Sequence, residues 1–291
     1  MKKNNLGRRL FVIINTAVLL LIALISIYPM YYSVVISFSE SNKVMGNAAF
    51  VWKPLGVSFA AYKAILADSR ISTGYINTLF VVVVGTCVNM LLTSMAAYFL
   101  SRKNVMFRRG VMVYIIITMY FSGGMVPTFL LVKGIGLYDS IWSLILPSAV
   151  SAFNLIVLRT GFDAIPGALT EAAEIDGAGP WRILFTIIYP TAKATIAVVV
   201  LYYAVDHWNS WFSASIYLRT PEKFPLQLFL RNILLTNSGA SMTDDLNAGS
   251  ERIAETIQFA VIVVSTVPIL CIYPFVQKYF AEGVMIGAVK G

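Results

Sequence analysis

Histidine occurs once in the 291 residues, cysteine twice, and charged side chains make up only 12% of the chain. A single histidine, His207, excludes by count any zinc or catalytic site built on paired histidines. Cys87 and Cys271 both lie inside apolar runs, with no Cys or His at ligand spacing. They are expected to serve as small buried hydrophobes, not as a disulfide or a metal pair. The phosphate-cradling G-x-x-x-x-G-K-[ST] loop is missing, so the chain does not take up ATP by that route. No Ser-His-Asp set and no paired-carboxylate pocket stands out, which leaves a membrane enzyme as the weakest reading.

The scarcity of charge has a counterpart in 58% hydrophobic residues and a mean hydropathy of +0.76. Soluble domains run at roughly 45–50% apolar and about 25% charged. A soluble chain of this length has no core large enough for so many apolar side chains, so lipid is the expected solvent. The net charge is +8. Its basic residues gather in short loops between apolar runs, where they report membrane orientation, and no aromatic stacking motif accompanies them. Nucleic acid is therefore not an expected partner.

Six runs reach the roughly 20 residues that cross a bilayer core: 10–38, 76–100, 110–132, 141–161, 187–212 and 256–279. Each is expected to be helical, because unpaired backbone groups cannot face lipid. Continuous apolar stretches such as Val81-Val82-Val83-Val84 do not alternate as barrel strands do. The fold class expected is all-α: a polytopic membrane protein with six transmembrane helices. The run from Leu10 is longer than a signal peptide's apolar region, so an uncleaved first helix is expected. Lys2, Lys3, Arg8 and Arg9 precede the first run, and Arg102, Lys103, Arg108 and Arg109 fill the loop after the second. Short basic loops stay in the cytoplasm, which puts both termini inside. Outside lie the long segments 39–75 and 213–255 and the short one 133–140. The last long segment contains an amphipathic piece, Leu226-Gln227-Leu228-Phe229-Leu230-Arg231. No inverted repeat is visible.

The remaining inside loop, 162–186, is acidic where its neighbours are basic, with Asp163, Glu171, Glu174 and Asp176. Pro166 suits a helix start and Gly177 a helix stop. Leu169, Ala172, Ala173 and Asp176 fall on one helical face, mostly small, which lets another surface approach closely. An ordinary surface helix with a solvated acidic face satisfies the same pattern.

The spacing is more specific than that. Glu171-Ala172-Ala173, then Asp176-Gly177-Ala178, then Phe185 and Pro190, resembles the EAA motif of ABC-importer permeases. Pro190 stands nineteen residues after Glu171, as in that motif, while Tyr189 replaces its usual Leu. The likeness covers nearly the whole chain. It is nearest to the sugar group typified by the smaller permease of the maltose system, in the subgroup for complex oligosaccharides. Gly134-Ile135-Gly136-Leu137-Tyr138-Asp139-Ser140, Trp208-Asn209-Ser210-Trp211-Phe212 and Ser122-Gly123-Gly124-Met125-Val126-Pro127-Thr128 support it.

The resemblance implies a type I ABC-importer permease fold: one permease domain over 1–291, a first helix 10–38, a five-helix core 76–279 and a cytoplasmic tail 280–291. It implies that Glu171, Ala172, Ala173, Asp176, Gly177 and Ala178 form a coupling helix docking on an ATPase. It also implies that the tail, through Gly283, Gly287, Lys290 and Gly291, reaches the ATPase interface. The implied partners are a second permease, a dimer of ATPase subunits, an extracellular solute-binding protein, an oligosaccharide and membrane lipid. No cofactor is expected on this chain, with ATP and magnesium on the ATPase, and the expected location is the bacterial cell membrane. The alternative is an ion-coupled secondary transporter, for which intramembrane ionisable residues are few.

Other residues keep two readings. Trp208 and Trp211 either stack on sugar rings or belong to an interfacial aromatic belt, the commoner use. Asn89, Thr93 and Asn154 either line a polar path or bond between helices. His207, beside Asp206, is expected at an interface or cavity sooner than in a proton relay.

Overall fold

A computed structural model describes residues 6–44, 51–102, 104–240, 256–271 and 274. The chain divides into two compact units: residues 1–68 with 232–267, and residues 69–231 with 268–291.

The first unit opens with α1 (Leu6–Ser37), 32 residues containing Pro29. Its span Gly7–Ser37 has a hydropathy of 2.8 and buries none of its most apolar window. A helical stretch apolar on every side and covered on none is one built for lipid or for a neighbouring chain, while the end of α1, at Ser33 and from Val35 to Ser37, is packed. Ser33 Oγ donates to the Pro29 carbonyl at 2.9 Å, a bond from the side chain back to its own helix. Short helices α2 (Ser41–Val44) and α3 (Ala60–Ala67) follow. Val35, Ile36, Val44 and Val51 form a small core. The isolated bridge Ser39–Val57 folds the connecting segment back on the end of α1.

The second unit is organised by α4 (Ser69–Ser101). Its buried positions include Gly74, Thr78, Val81, Gly85, Asn89, Thr93, Ala97 and Leu100, a stripe repeating every three or four residues. Small and hydroxylated side chains along one stripe let helix backbones come close where lipid gives no hydrophobic drive to associate. α7 (Ala152–Asp163) and α11 (Lys193–Trp208) pack on α4. Between them lie α5 (Arg108–Tyr120), α6 (Met125–Gly134), α8 (Gly167–Ile175), α9 (Pro180–Ile183) and α10 (Tyr189–Thr191). α12 (Trp211–Tyr217) and α13 (Leu226–Ala240), the latter shared with the first unit, complete the order. A further apolar helix, α14 (Thr256–Cys271), follows in sequence.

Three of the six runs depart from straight spans. The run 110–132 breaks after Tyr120 and turns by 110° into α6, through Gly124 at φ +90. The run 141–161 begins with one 3-10 turn, Ile141–Leu144, and becomes α-helical only at Ala152. Its 12 helical residues span about 18 Å at 1.5 Å each, short of a roughly 30 Å core. The run 187–212 bends by 92° between Pro180–Thr191 and Lys193–Trp208. Pro190, which has no N–H to donate, follows a π-helical turn over Leu184–Ile188. The last run is described to Cys271, and its remainder lies outside the described residues. Among the described residues, two helices are long and apolar enough to cross a membrane, or up to four if each bent pair is one span. Both cysteines are exposed on the chain's surface rather than buried.

Contacts sort the loops of the second unit to two ends. At one, Arg108 and Asp163 pair at 2.9 Å, and Arg102 approaches Glu174 at 4.0 Å. At the other, Asn77 Nδ2 donates to the carbonyls of Glu222 and Phe224. There the amphipathic piece from Leu226 folds onto α4: the Leu226 N–H donates to Thr78 Oγ1 at 2.9 Å. A Cβ on Gly74 would meet Leu226 Cα at 3.2 Å, so glycine sets that approach.

Candidate functional site

The acidic loop forms α8, a nine-residue helix entered from Pro166 at ψ 127. Proline's restricted φ suits this edge, where no helical N–H is required. Its exit is closed by two reciprocal bonds. The Ala178 N–H reaches the Ala173 carbonyl at 2.9 Å, and the Gly177 N–H reaches the Glu174 carbonyl at 3.0 Å. This pair is the Schellman closure, and it requires a left-handed residue just past the helix. Gly177 supplies it at φ +78. The Asp-Gly-Ala of the motif is thus the stop signal of the helix that Glu-Ala-Ala builds. Gly179 and Pro180 then start α9.

One side of α8 is turned inward. Thr170 and Ala173 are buried, and Ala173 joins a core with Ala97, Leu158, Phe162 and Ile183, Ala178 packing beside it. Small side chains here let the helix lie close to the bundle. Leu169, Ala172 and Asp176 face outward as expected of one face, but Ala173 does not share that face and packs against the chain itself. Glu171 and Glu174 are exposed beside them, and Ile175 is 87% exposed. Glu171 and Asp176 form no ion pair among the described residues. The result is a short raised surface of carboxylates around an uncovered isoleucine.

The other expected site residues separate from this helix. Asn89 is buried on α4, and its Nδ2 lies 3.2 Å from His207 Nε2. His207 itself is 2% exposed, inside the bundle and not at an interface. Gly85 makes room for it: a Cβ there would fall 2.6 Å from Nε2. Thr93 and Tyr203 share a hydroxyl bond at 2.7 Å, and Tyr203 Oη accepts from the Ser151 N–H at 3.0 Å. Ser94 and Tyr189 make a further bond at 2.6 Å. Asn154 is buried, its N–H directed at Ser151 Oγ at 3.4 Å. Asn89, Thr93 and Ser94 thus bond between helices, whereas the bond at Asn154 is a backbone one to the cap of its own helix. Trp208 is 6% exposed and so is not part of an aromatic belt. Trp211 is half-buried beneath the Arg231 guanidinium, 4.2 Å from its ring centre. Gly283, Gly287, Lys290 and Gly291 lie outside the described residues.

Sequence reasoning missed the clamp at the opposite end. Asp139, at φ +56, accepts from the backbone N–H groups of Arg219 and Thr220 at 2.9 and 3.0 Å. It also accepts from Thr220 Oγ1 at 2.5 Å and Lys223 Nζ at 3.1 Å. The Thr220 hydroxyl and the surrounding N–H donors hold its carboxyl well below the usual carboxylate range. An aspartate after Gly-Leu-Tyr was the available signal, since Asp tolerates the left-handed region better than most residues.

Bent apolar helices, a polar seam inside them and one exposed helix at a single end fit a membrane permease. The sequence profile of the binding-protein-dependent transport system inner membrane components matches residues 89–286, and the chain belongs to that family. It is 42% identical to the polygalacturonan/rhamnogalacturonan transport system permease protein YtcP of Bacillus subtilis (strain 168), over 97% of this chain and 99% of that one. Identity to protein LplC of the same organism is 36%, over 99% of this chain and 97% of the relative. A chain of a bacterial ABC transporter involved in the import of the acidic polysaccharide alginate superposes with a TM-score of 0.88 at 33% identity, covering 96% of this chain and 100% of that one. The protein is thus a multi-pass component of the cell membrane and a permease of an ABC transport system.

Proposed function

We propose that the chain carries oligosaccharides or polysaccharide fragments across the membrane by alternating access, with α8 as the part that receives the motion of an ATPase. The observation that carries this reading is the geometry of α8. Its inner side is fixed to the bundle by Thr170 and Ala173, while Glu171, Ile175 and Asp176 stand clear of it. A surface of this kind fits a cleft with basic groups around an apolar floor, because charge-assisted bonds are stronger than neutral ones. ATP and magnesium belong to that partner, and a second permease completes the membrane part. A binding protein delivers the saccharide at the far end, where Asp139 fixes the outer loop. The names of the relatives support a saccharide cargo: polygalacturonan and rhamnogalacturonan for one, alginate for another. The tail residues Gly283, Gly287, Lys290 and Gly291 are assigned to the same ATPase contact. Asn89, Asn154, Trp208 and Trp211 are assigned to the substrate path between the helices.

Glu171→Lys tests the reading. The variant is expected to insert normally, to lose co-purification of the ATPase subunit, and to lose ATP hydrolysis stimulated by the sugar-loaded binding protein. Full stimulation in this variant makes α8 an ordinary surface helix.

A further inference from the structure

The last turn of α7 is tied to three other helices. Asp163 Oδ2 accepts from Arg108 Nη2 at 2.9 Å and from Arg159 Nη2 at 2.7 Å, and Oδ1 accepts from Arg108 at 3.2 Å. Arg108 is the first residue of α5, a helix with no buried residue that packs in this unit against α7. The pair on Asp163 is therefore a principal hold on the start of α5. Arg159 Nε reaches the Leu100 carbonyl at 3.2 Å, gripping the end of α4. Gly161 seats α11: a Cβ there would lie 2.7 Å from Thr195 Cγ2 and Oγ1. α8 hangs from this same turn by a short, bonded connection. The N–H groups of Ala164 and Ile165 reach the carbonyls of Thr160 and Phe162, each at 3.2 Å.

We propose that Asp163 is a positioning residue for transport, gathering α4, α5 and α7 at the root of α8 so that one displacement of α8 reaches all of them together. The inference rests on α8 being the contact with the ATPase. It gives the carboxylate a part that its surroundings explain. The Arg159–Asp163 bond lies within α7, four residues apart, and sets the carboxylate in place; the Arg108–Asp163 bond crosses to α5 and holds only while α5 and α7 keep station, so it transmits movement in either direction. Coupling between distant sites needs such an element with defined arrangements that both sites bias.

The test uses the whole transporter reconstituted in liposomes, with Asp163→Asn and Asp163→Glu beside Glu171→Lys. Asp163→Asn is expected to retain the ATPase subunit in a pull-down and to keep basal hydrolysis. Stimulation by the sugar-loaded binding protein should fall about tenfold, within the usual range of coupling between sites. Asp163→Glu, which restores the charge, should recover most of it. Full stimulation in Asp163→Asn overturns the proposal, and so does loss of the ATPase from the pull-down, which would reduce Asp163 to a support for α8's own fold. Stimulation lost in Glu171→Lys and kept in Asp163→Asn refutes the positioning role alone. Stimulation kept in Glu171→Lys refutes the docking reading of α8 whatever Asp163 does. Should Asp163→Asn not be recovered from membranes, Arg108→Gln releases only α5 and is read by the same ratio under the same criteria.

Discussion

Replacing Gly177 by alanine isolates the exit of α8 from every other property of the loop. Gly177 sits at φ +78, and a Cβ there would meet nothing within 4 Å. The penalty is therefore conformational, with no clash added. Holding an L-residue left-handed costs roughly 1–2 kcal/mol. Against the small opening energy of a terminal helical turn, that shifts the closed population by a factor of about 5–30. The two bonds that close the helix, Ala178 to Ala173 and Gly177 to Glu174, are the ones that open. Amide exchange of residue 178 should accelerate by about 5–30-fold in Gly177→Ala, following the same energy. Asparagine tolerates this region, so Gly177→Asn should lie between glycine and alanine. Stimulated ATP hydrolysis by the reconstituted transporter is expected to follow the order Gly, Asn, Ala. Alanine equal to glycine in both measurements would refute the argument that the left-handed exit shapes the docking surface.

Two further outcomes concern the bundle itself. Asp139→Ala removes the acceptor shared by Arg219, Thr220 and Lys223. The loss should be about 1–2 kcal/mol of thermal stability in detergent after allowing for partial exposure. Because the carboxyl is held below its ordinary range, its contribution is complete above the unfolded value near pH 4 and declines only as pH falls further. The gap between wild type and Asp139→Ala should thus be constant from pH 7 to about 5 and narrow below about 4; narrowing at pH 6 would contradict the assignment. Gly85→Ala places a methyl 2.6 Å from His207 Nε2, so the imidazole must move and lose Asn89. Overpacking of this kind costs roughly 1–3 kcal/mol. Adding His207→Ala should return part of the stability, and no recovery in the double variant would show that His207 is not what Gly85 accommodates.

The sequence was most legible where local chemistry decides. Pro166 and Gly177 marked the two ends of α8 because each constrains its own backbone, and the structure starts and stops the helix there. Straightness was not legible. A hydropathy window over 110–132 sees apolar residues without seeing that Ser122, Gly123 and Gly124 release the chain into a 110° turn. Pro147 and the residues around it likewise delay α7 until Ala152. The stripe from Gly74 to Ala97 was present as small or hydroxylated residues at helical spacing, yet only Asn89 and Thr93 were singled out. A lone histidine says nothing about which glycine faces it, since that pairing depends on how two helices cross. The Arg108–Asp163 pair was invisible for the same reason: its members lie on different helices, and charge in a loop reads equally well as solvated.

The right-angled turn at Ala192 makes a bell crank of the segment 180–208. Its short arm, Pro180–Thr191, begins directly after the exit of α8, and its long arm is Lys193–Trp208. At 1.5 Å per residue the arms measure about 18 and about 24 Å. While the corner keeps its angle of 92°, a push at Pro180 along the direction of the long arm swings Trp208 sideways by about 1.3 times as much, from the ratio of those lengths. Thrust at one end of the segment thereby becomes lateral travel at the other, carried by a single stretch of chain.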